Sequence, residues 1–162
     1  MSSFSEPVNC CYGVGMKWND LQNEACPVAR GLSVIGDRWT MLVLRDCFLG
    51  IRRFEQIQER LGITRHVLAD RLRKLEAAGV LRREPYQERP VRHEYRLTDR
   101  GKALYPVLVS MIEWANEHVP PPGDSAVTLV SRKTGAPIVP ILVDANTGEE
   151  ITHRTVTALG PE

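Results

Sequence analysis

The sequence predicts an α+β fold, mostly α: a winged helix-turn-helix domain with a long C-terminal dimerisation helix and a small β-rich tail. Three patterns carry that expectation. Between Arg52 and Leu81, Phe54, Ile57 and Leu61 fall at i, i+3 and i+7, Gly62 follows, and Leu68, Leu72 and Leu75 form a second series. That spacing leaves room only for a tight turn between two helices. Next, Val80 to Arg83 reads as a strand, Gln87-Glu88-Arg89-Pro90 as a turn, and His93, Tyr95 and Leu97, alternating with Arg92, Glu94 and Arg96, as the returning strand. Downstream, Leu104, Leu108, Met111, Ile112 and Ala115 share one helical stripe, with Trp114 beside it.

Before the helix pair, Met16 to Ala25 suggests a short helix. Pro27 suits a first helical position, Val28, Leu32 and Ile35 make an apolar stripe, and Gly36 ends it. Asp37 is placed to N-cap the next helix, where Trp39, Leu42, Val43 and Cys47 face inward until Gly50. Thr64 caps the second helix of the pair, and Ile63 can staple onto Leu68. Thr98 opens the long helix, which Pro106 in its second turn should bend. The expected organisation is an N-terminal segment 1–25, the winged domain 26–119, a linker 120–125 around Pro120-Pro121-Pro122-Gly123, and a hairpin or ribbon-like tail 126–162. In that tail Val127 to Val130, Ile138 to Val143 and Ile151 to Val156 read as short strands.

At 162 residues and 43% apolar, the chain can bury one core. No apolar run approaches about 20 residues, so no membrane span is expected. Met1 to Asn9 lacks the basic and apolar regions of a signal peptide, and a cytoplasmic location follows as the expectation. Net charge is only +1, but its distribution is uneven: Arg52 to Arg100 holds 13 basic and 8 acidic residues, and the remainder 8 and 12. A basic middle between acidic ends is what a chain needs if only its middle meets phosphate.

The second helix of the pair turns His66, Ala69, Asp70 and Arg73 away from its leucine face. Thr64, Arg65 and His66 stand at its N-terminus, where recognition helices meet base edges. Arg65 can pair with guanine, and Ala69 can touch a thymine methyl. Arg73 is suited to phosphate, and Arg89 and Arg92 at the wing tip to backbone or minor groove. Arg71, at the edge of the core face, suits a structural ion pair as well as DNA. The expected partner is therefore double-stranded DNA; the alternative is a winged-helix protein-interaction module without DNA activity. Val28 and Leu32, together with Leu104, Leu108, Met111, Ile112 and Trp114, offer more apolar surface than a small winged domain needs, and are expected to form a homodimer interface.

Of four cysteines none forms a CxxC pair, and no metal or cofactor is expected. Cys26 precedes a helix, with Arg30 one turn on; both features favour thiolate and make it the redox candidate. Cys47 on an apolar stripe reads as core, and Cys10-Cys11 as part of a loose segment. No nucleophile, base and orienting group share a recognisable spacing, and there is no GxGxxG or P-loop, so an enzyme is not expected.

Residues 26 to 118 resemble the HxlR family of bacterial winged-helix regulators, relatives of the MarR group. The resemblance rests on Cys26-Pro27-Val28, Ile35-Gly36-Asp37-Arg38-Trp39, Gly50, Arg53-Phe54, Gly62-Ile63-Thr64, Leu68, Arg71-Leu72, Leu75-Glu76, Gly79-Val80, Pro90, Glu94-Tyr95, Leu97-Thr98, Gly101 and Trp114, in that order. It implies a homodimer that binds an inverted repeat and regulates a nearby operon, and some relatives sense electrophiles or oxidants through a cysteine near the domain start; the expected function is a repressor released by a small-molecule effector or by oxidation of Cys26. The tail resembles a zinc ribbon whose knuckles have lost their thiols: Thr134-Gly135 and Asp144-Ala145-Asn146-Thr147-Gly148 stand where CG and CxxCG would. Threonine hydroxyls are poor zinc ligands, so a metal-free ribbon is expected.

Overall fold

The computed structural model describes residues 17–119, 121, 123 and 126–157. The Cys10-Cys11 pair, Met1 to Asn9 and most of the expected linker lie outside the described residues. Contacts divide the described residues into two units, 17–108 and 109–157.

In the first unit a 3-10 helix, Trp18–Asn23, replaces the expected 16–25 helix. α1 (Pro27–Ile35) follows with Pro27 at its start, and α2 (Thr40–Phe48) begins after Trp39. Asp37 does not cap α2. Its Oδ1 accepts from the Trp39 N–H at 2.9 Å and its carbonyl from the Thr40 N–H at 3.1 Å, closing a turn that starts two residues ahead of the cap position, Trp39. The buried face of α2 is Thr40, Val43, Leu44, Asp46 and Cys47; Leu42, expected inward, is half-buried.

The helix pair forms as the spacing requires. α3 (Phe54–Leu61) ends at Gly62, whose φ of 61° supplies the left-handed turn, and the Gly62 N–H donates to the Gln58 carbonyl at 2.9 Å. α4 (Arg65–Ala77) is capped by Thr64, which accepts from the Val67 N–H. Ile57, Ile63, Leu68, Leu72 and Leu75 join Val43, Leu44, Cys47, Val80 and Leu81 in one buried cluster. Burying such side chains contributes about 1.5–3 kcal/mol each and locks α4 against α2 and α3.

The wing is longer than the sequence pattern suggests. β1 (Leu81–Glu88) pairs antiparallel with β2 (Val91–Leu97), from Leu81 opposite Leu97 to Glu88 opposite Val91. Gln87 and Glu88, expected in the turn, belong to the strand. The register slips between Pro85 and Gln87, leaving Tyr86 as a bulge residue. The wing is pinned at its base: the Tyr95 N–H donates to the Arg52 carbonyl at 2.8 Å, and Arg53 bridges Glu94.

The long C-terminal helix is two helices. Thr98 caps the short α5 (Asp99–Lys102), the chain breaks at Ala103-Leu104, and α6 (Tyr105–His118) resumes. Pro106 therefore sits in the first turn of α6 and not in the second turn of a continuous helix. A proline ring clashes with the carbonyl four residues earlier, here Lys102, and it has no N–H to donate; the break precedes it for that reason.

In the second unit, the tail beyond α6 consists of tight turns, and the expected strands contract to two isolated bridges, Val130 to Pro137 and Val143 to Glu150. Pro137 and Pro140 cannot donate to a ladder, which stops the first from extending. The two turns are built alike. The Gly135 N–H donates to Ser131 O and the Gly148 N–H to Asp144 O; Ser131 Oγ and Asp144 Oδ1 accept backbone N–H groups inside their turns; both glycines have φ above 70°.

Candidate nucleic-acid interface

The N-terminal turn of α4 and the wing enclose a cleft of about 220 Å³ lined by Phe54, Arg65, Arg83, Tyr86, Arg92 and His93, among others. Two stacked cations shape it. The Arg65 guanidinium lies 4.8 Å from the Phe54 ring centre, and that of Arg53 lies 4.3 Å from the Tyr86 ring centre. Guanidinium–ring stacking leaves the N–H edges free to donate while fixing the plane of the group. Arg65 is thus oriented at the mouth of the cleft, and Arg53 fastens the wing bulge to the start of α3.

Thr64, Arg65, His66 and Arg73 are exposed along α4 and Ala69 is half-buried, so the expected recognition face is open. Arg89 and Arg92 are exposed at the wing tip, and neither makes an ion pair with the described residues. By contrast Arg82 and Arg96 are neutralised by Glu84 at 2.7 and 2.9 Å, and Arg96 also by Glu94. The wing cations able to meet phosphate are concentrated at its tip. Arg71 Nε stands 3.0 Å from Asp37 Oδ1 and Arg71 Nη1 3.4 Å from Asp70 Oδ2, so its structural reading prevails over DNA contact. Asp70 also pairs with Arg73 and Lys74. The hydrogen bond from the Lys74 ammonium, aided by the charges of Lys74, Arg71 and Arg73, holds the Asp70 carboxyl below the usual carboxylate range.

The sequence pattern did not single out Arg53, Arg83 or Tyr86. Arg53 directly precedes the first apolar residue of the helix pair, a position that a wing folding back on α3 brings into the site. Tyr86 and Arg83 are set by the longer strand and its bulge, for which Pro85 hid the alternation.

The remaining candidates are more scattered. Val28 on α1 is 68% exposed and Leu32 is exposed; on α6 Met111 is exposed and Trp114 is 58% exposed. Leu104 and Ile112 are half-buried, and Leu108 is buried within its own protomer. Cys26 is half-buried at the N-cap of α1. Cys47 is buried; desolvation, reinforced by the Asp46 charge, pushes its thiol up to about 12. In the tail, Ser131 and Thr134 stand in the first glycine turn and Asp144 and Thr147 in the second, and their oxygens accept turn N–H groups. Asp144 is held below the usual range by the Asn146 N–H and the Thr147 hydroxyl. No cluster of three metal-ligating side chains occurs among the described residues, and no described helix is long and apolar enough to cross a membrane.

Comparison with known proteins shows the family. The family model of the HxlR-like helix-turn-helix matches residues 34–122. An uncharacterized HTH-type transcriptional regulator of Mycobacterium tuberculosis is 43% identical over 130 residues, 80% of this chain and 82% of its own. Among solved structures, PA1607, a candidate transcription factor, superposes with a TM-score of 0.77 at 40% identity, over 85% of this chain and 96% of its own. The redox regulator HypR in its reduced form superposes with a TM-score of 0.54 at 33% identity, over 59% of this chain and 95% of its own.

Proposed function

The chain belongs to the HxlR-like helix-turn-helix family of DNA-binding transcription regulators, and from that premise we propose that it is a repressor whose homodimer covers an inverted repeat and leaves it when a signal arrives. The observation that carries this reading is the shared cleft: Arg65 of α4 and Arg92 of the wing line one cavity. A helix in the major groove and a wing on the flanking backbone need that juxtaposition. Arg65 and His66 read base edges, Ala69 meets a thymine methyl, and Thr64, Arg73, Arg89 and Arg92 hold phosphates. Two half-sites require two copies, and the exposed Val28, Leu32, Met111 and Trp114 supply apolar surface for a second chain.

Release works by changing the spacing of the two α4 helices. Cys26 is the thiol we assign to that step, because it stands at the N-cap position of α1, the helix that carries Val28 and Leu32. The likeness to a redox regulator supports that assignment; a small effector in the dimer cleft is the other route.

The test is a titration of the purified protein on the intergenic DNA beside its own gene and on a random duplex, with and without diamide, repeated with Cys26→Ser. Preference for the upstream DNA that oxidation removes only when Cys26 is present supports the redox-switched repressor. Preference indifferent to diamide removes Cys26 from the switch. Faster transcription from that promoter on adding the protein would overturn repression.

A further inference from the structure

A carboxylate on a helix that faces phosphates works against binding, yet Asp70 sits in the middle of α4, one turn after His66 and one turn before Arg73 and Lys74. Its two oxygens receive three cations: Arg73 Nη1 at 3.4 Å on Oδ1, and Lys74 Nζ at 3.0 Å with Arg71 Nη1 at 3.4 Å on Oδ2. Arg73 and Lys74 are otherwise solvent-facing, with side chains 71% and 62% exposed, and Asp70 is less open at 27%. Arg71 differs, because Asp37 holds it from the other side at 3.0 Å. One carboxylate thus draws together, in the free protein, the two exposed cations of α4.

We propose that Asp70 is a specificity-determining residue: an internal stand-in for a DNA phosphate that neutralises Arg73 and Lys74 until the correct duplex displaces it. This rests on the DNA-binding reading above. Non-specific complexes draw almost wholly on phosphate contacts, so a carboxylate that withholds two cations and repels the backbone weakens them in full. In a specific complex α4 lies deep in the major groove. There a carboxylate can accept from an exposed base amino group, cytosine N4 being its usual partner, and the penalty is recovered. Asp70 therefore lowers affinity for random DNA more than for the operator and widens the ratio between them. The lowered Asp70 pKa keeps the carboxylate charged throughout the physiological range.

The experiment measures binding of the full chain to a random duplex, and to the intergenic DNA beside its gene, across a salt series. It compares wild type, Asp70→Asn, Asp70→Glu and, as a control for global charge, Glu149→Gln in the exposed tail. Asp70→Asn should bind the random duplex about 3- to 10-fold more tightly. Its log–log salt slope should steepen by about one to two, the number of cations set free. The ratio of intergenic to random affinity should fall, and Asp70→Glu should restore it. A random-duplex affinity and slope matching Glu149→Gln would reduce Asp70 to an ordinary helix-surface ion pair and overturn the proposal. Weaker binding of Asp70→Asn to random DNA, with an unchanged thermal midpoint, would overturn it as well. Wild-type protein that retains no duplex in a salt-dependent way would instead sink the DNA-binding reading, and this proposal with it.

Discussion

Arg71 Nε stands 3.0 Å from Asp37 Oδ1, joining the middle of the recognition helix α4 to the turn between α1 and α2. The same Asp37 oxygen accepts the Trp39 N–H, so one carboxylate shapes the start of α2 and positions α4. Both side chains are largely shielded, and removing the cation would leave Asp37 partly buried with one partner fewer. Arg71→Ala is expected to lower stability by about 1–2 kcal/mol in urea unfolding. In a double-mutant cycle with Asp37→Asn the two changes should couple by about 0.5–1.5 kcal/mol. Additive losses would show that the pair does not act as a strut.

Gly101 has no room for a side chain. A Cβ built there would press into the Val80 carbonyl oxygen and crowd Leu97 at 3.1 Å. The surroundings cannot yield, because the Thr98 hydroxyl accepts from the Gly101 N–H at 3.1 Å while donating to the Gly79 carbonyl at 2.6 Å. Gly101→Ala should destabilise by about 1–3 kcal/mol and loosen α5 from the base of the wing. Gly31→Ala is the matched opposite: it lies inside α1, meets nothing within 4 Å, and should stabilise by about 0.5–1 kcal/mol. Thermal melts of both should move in opposite directions; a common sign would mean that local packing is not what distinguishes them.

These cases mark where sequence reading succeeds and fails. The helix pair was legible because Ile57, Leu68, Leu72 and Leu75 answer to helical periodicity alone, and all four are buried. The division of the C-terminal helix is not legible, because a proline that bends a helix and one that ends it carry the same sequence signal. Most cations of the candidate interface were legible as exposed charges on α4 and the wing tip. The Arg53–Tyr86 stack was not, because it depends on a bulge that brings two residues 33 positions apart into contact, and no period encodes that. The tail turns were half legible. Their glycines announce the left-handed positions and Asp144 stands in the second pattern, while the part Ser131 plays in the first turn shows only in its hydrogen bonds.

The buried Cys47 thiol gives the protein an alkaline limit. Its pKa is pushed from 9.0 to about 12, first by desolvation and then by Asp46. The folded state therefore binds its proton more tightly than the unfolded state does. The corresponding stability is complete below pH 9 and is lost as pH rises from 9 toward 12, at about 1.4 kcal/mol per unit. Urea unfolding of wild type and Cys47→Ala between pH 8 and 10.5 should show a steeper alkaline decline in wild type. At pH 8, iodoacetamide should leave Cys47 unmodified in the native protein and label it in urea, as read by peptide mass. Native labelling at the unfolded rate would show that the thiol is not sequestered.

Arg65 and Arg89 are both exposed cations, yet their settings differ and so should their variants. Arg65 is held over Phe54 at the N-terminus of α4, where a fixed guanidinium plane can meet guanine O6 and N7. Arg89 lies at the wing tip and makes no ion pair among the described residues; only its backbone is engaged, its carbonyl accepting from the Gln87 amide at 3.0 Å. An exposed cation with no ion pair among the described residues offers charge without orientation. Arg65→Ala should therefore cost about 1–3 kcal/mol on the intergenic DNA and much less on a random duplex, relaxing preference at one base position. Arg89→Ala should weaken both by a similar factor and reduce the salt slope by about one. Equal losses on the two duplexes for Arg65→Ala would remove it from base readout and make it a phosphate contact.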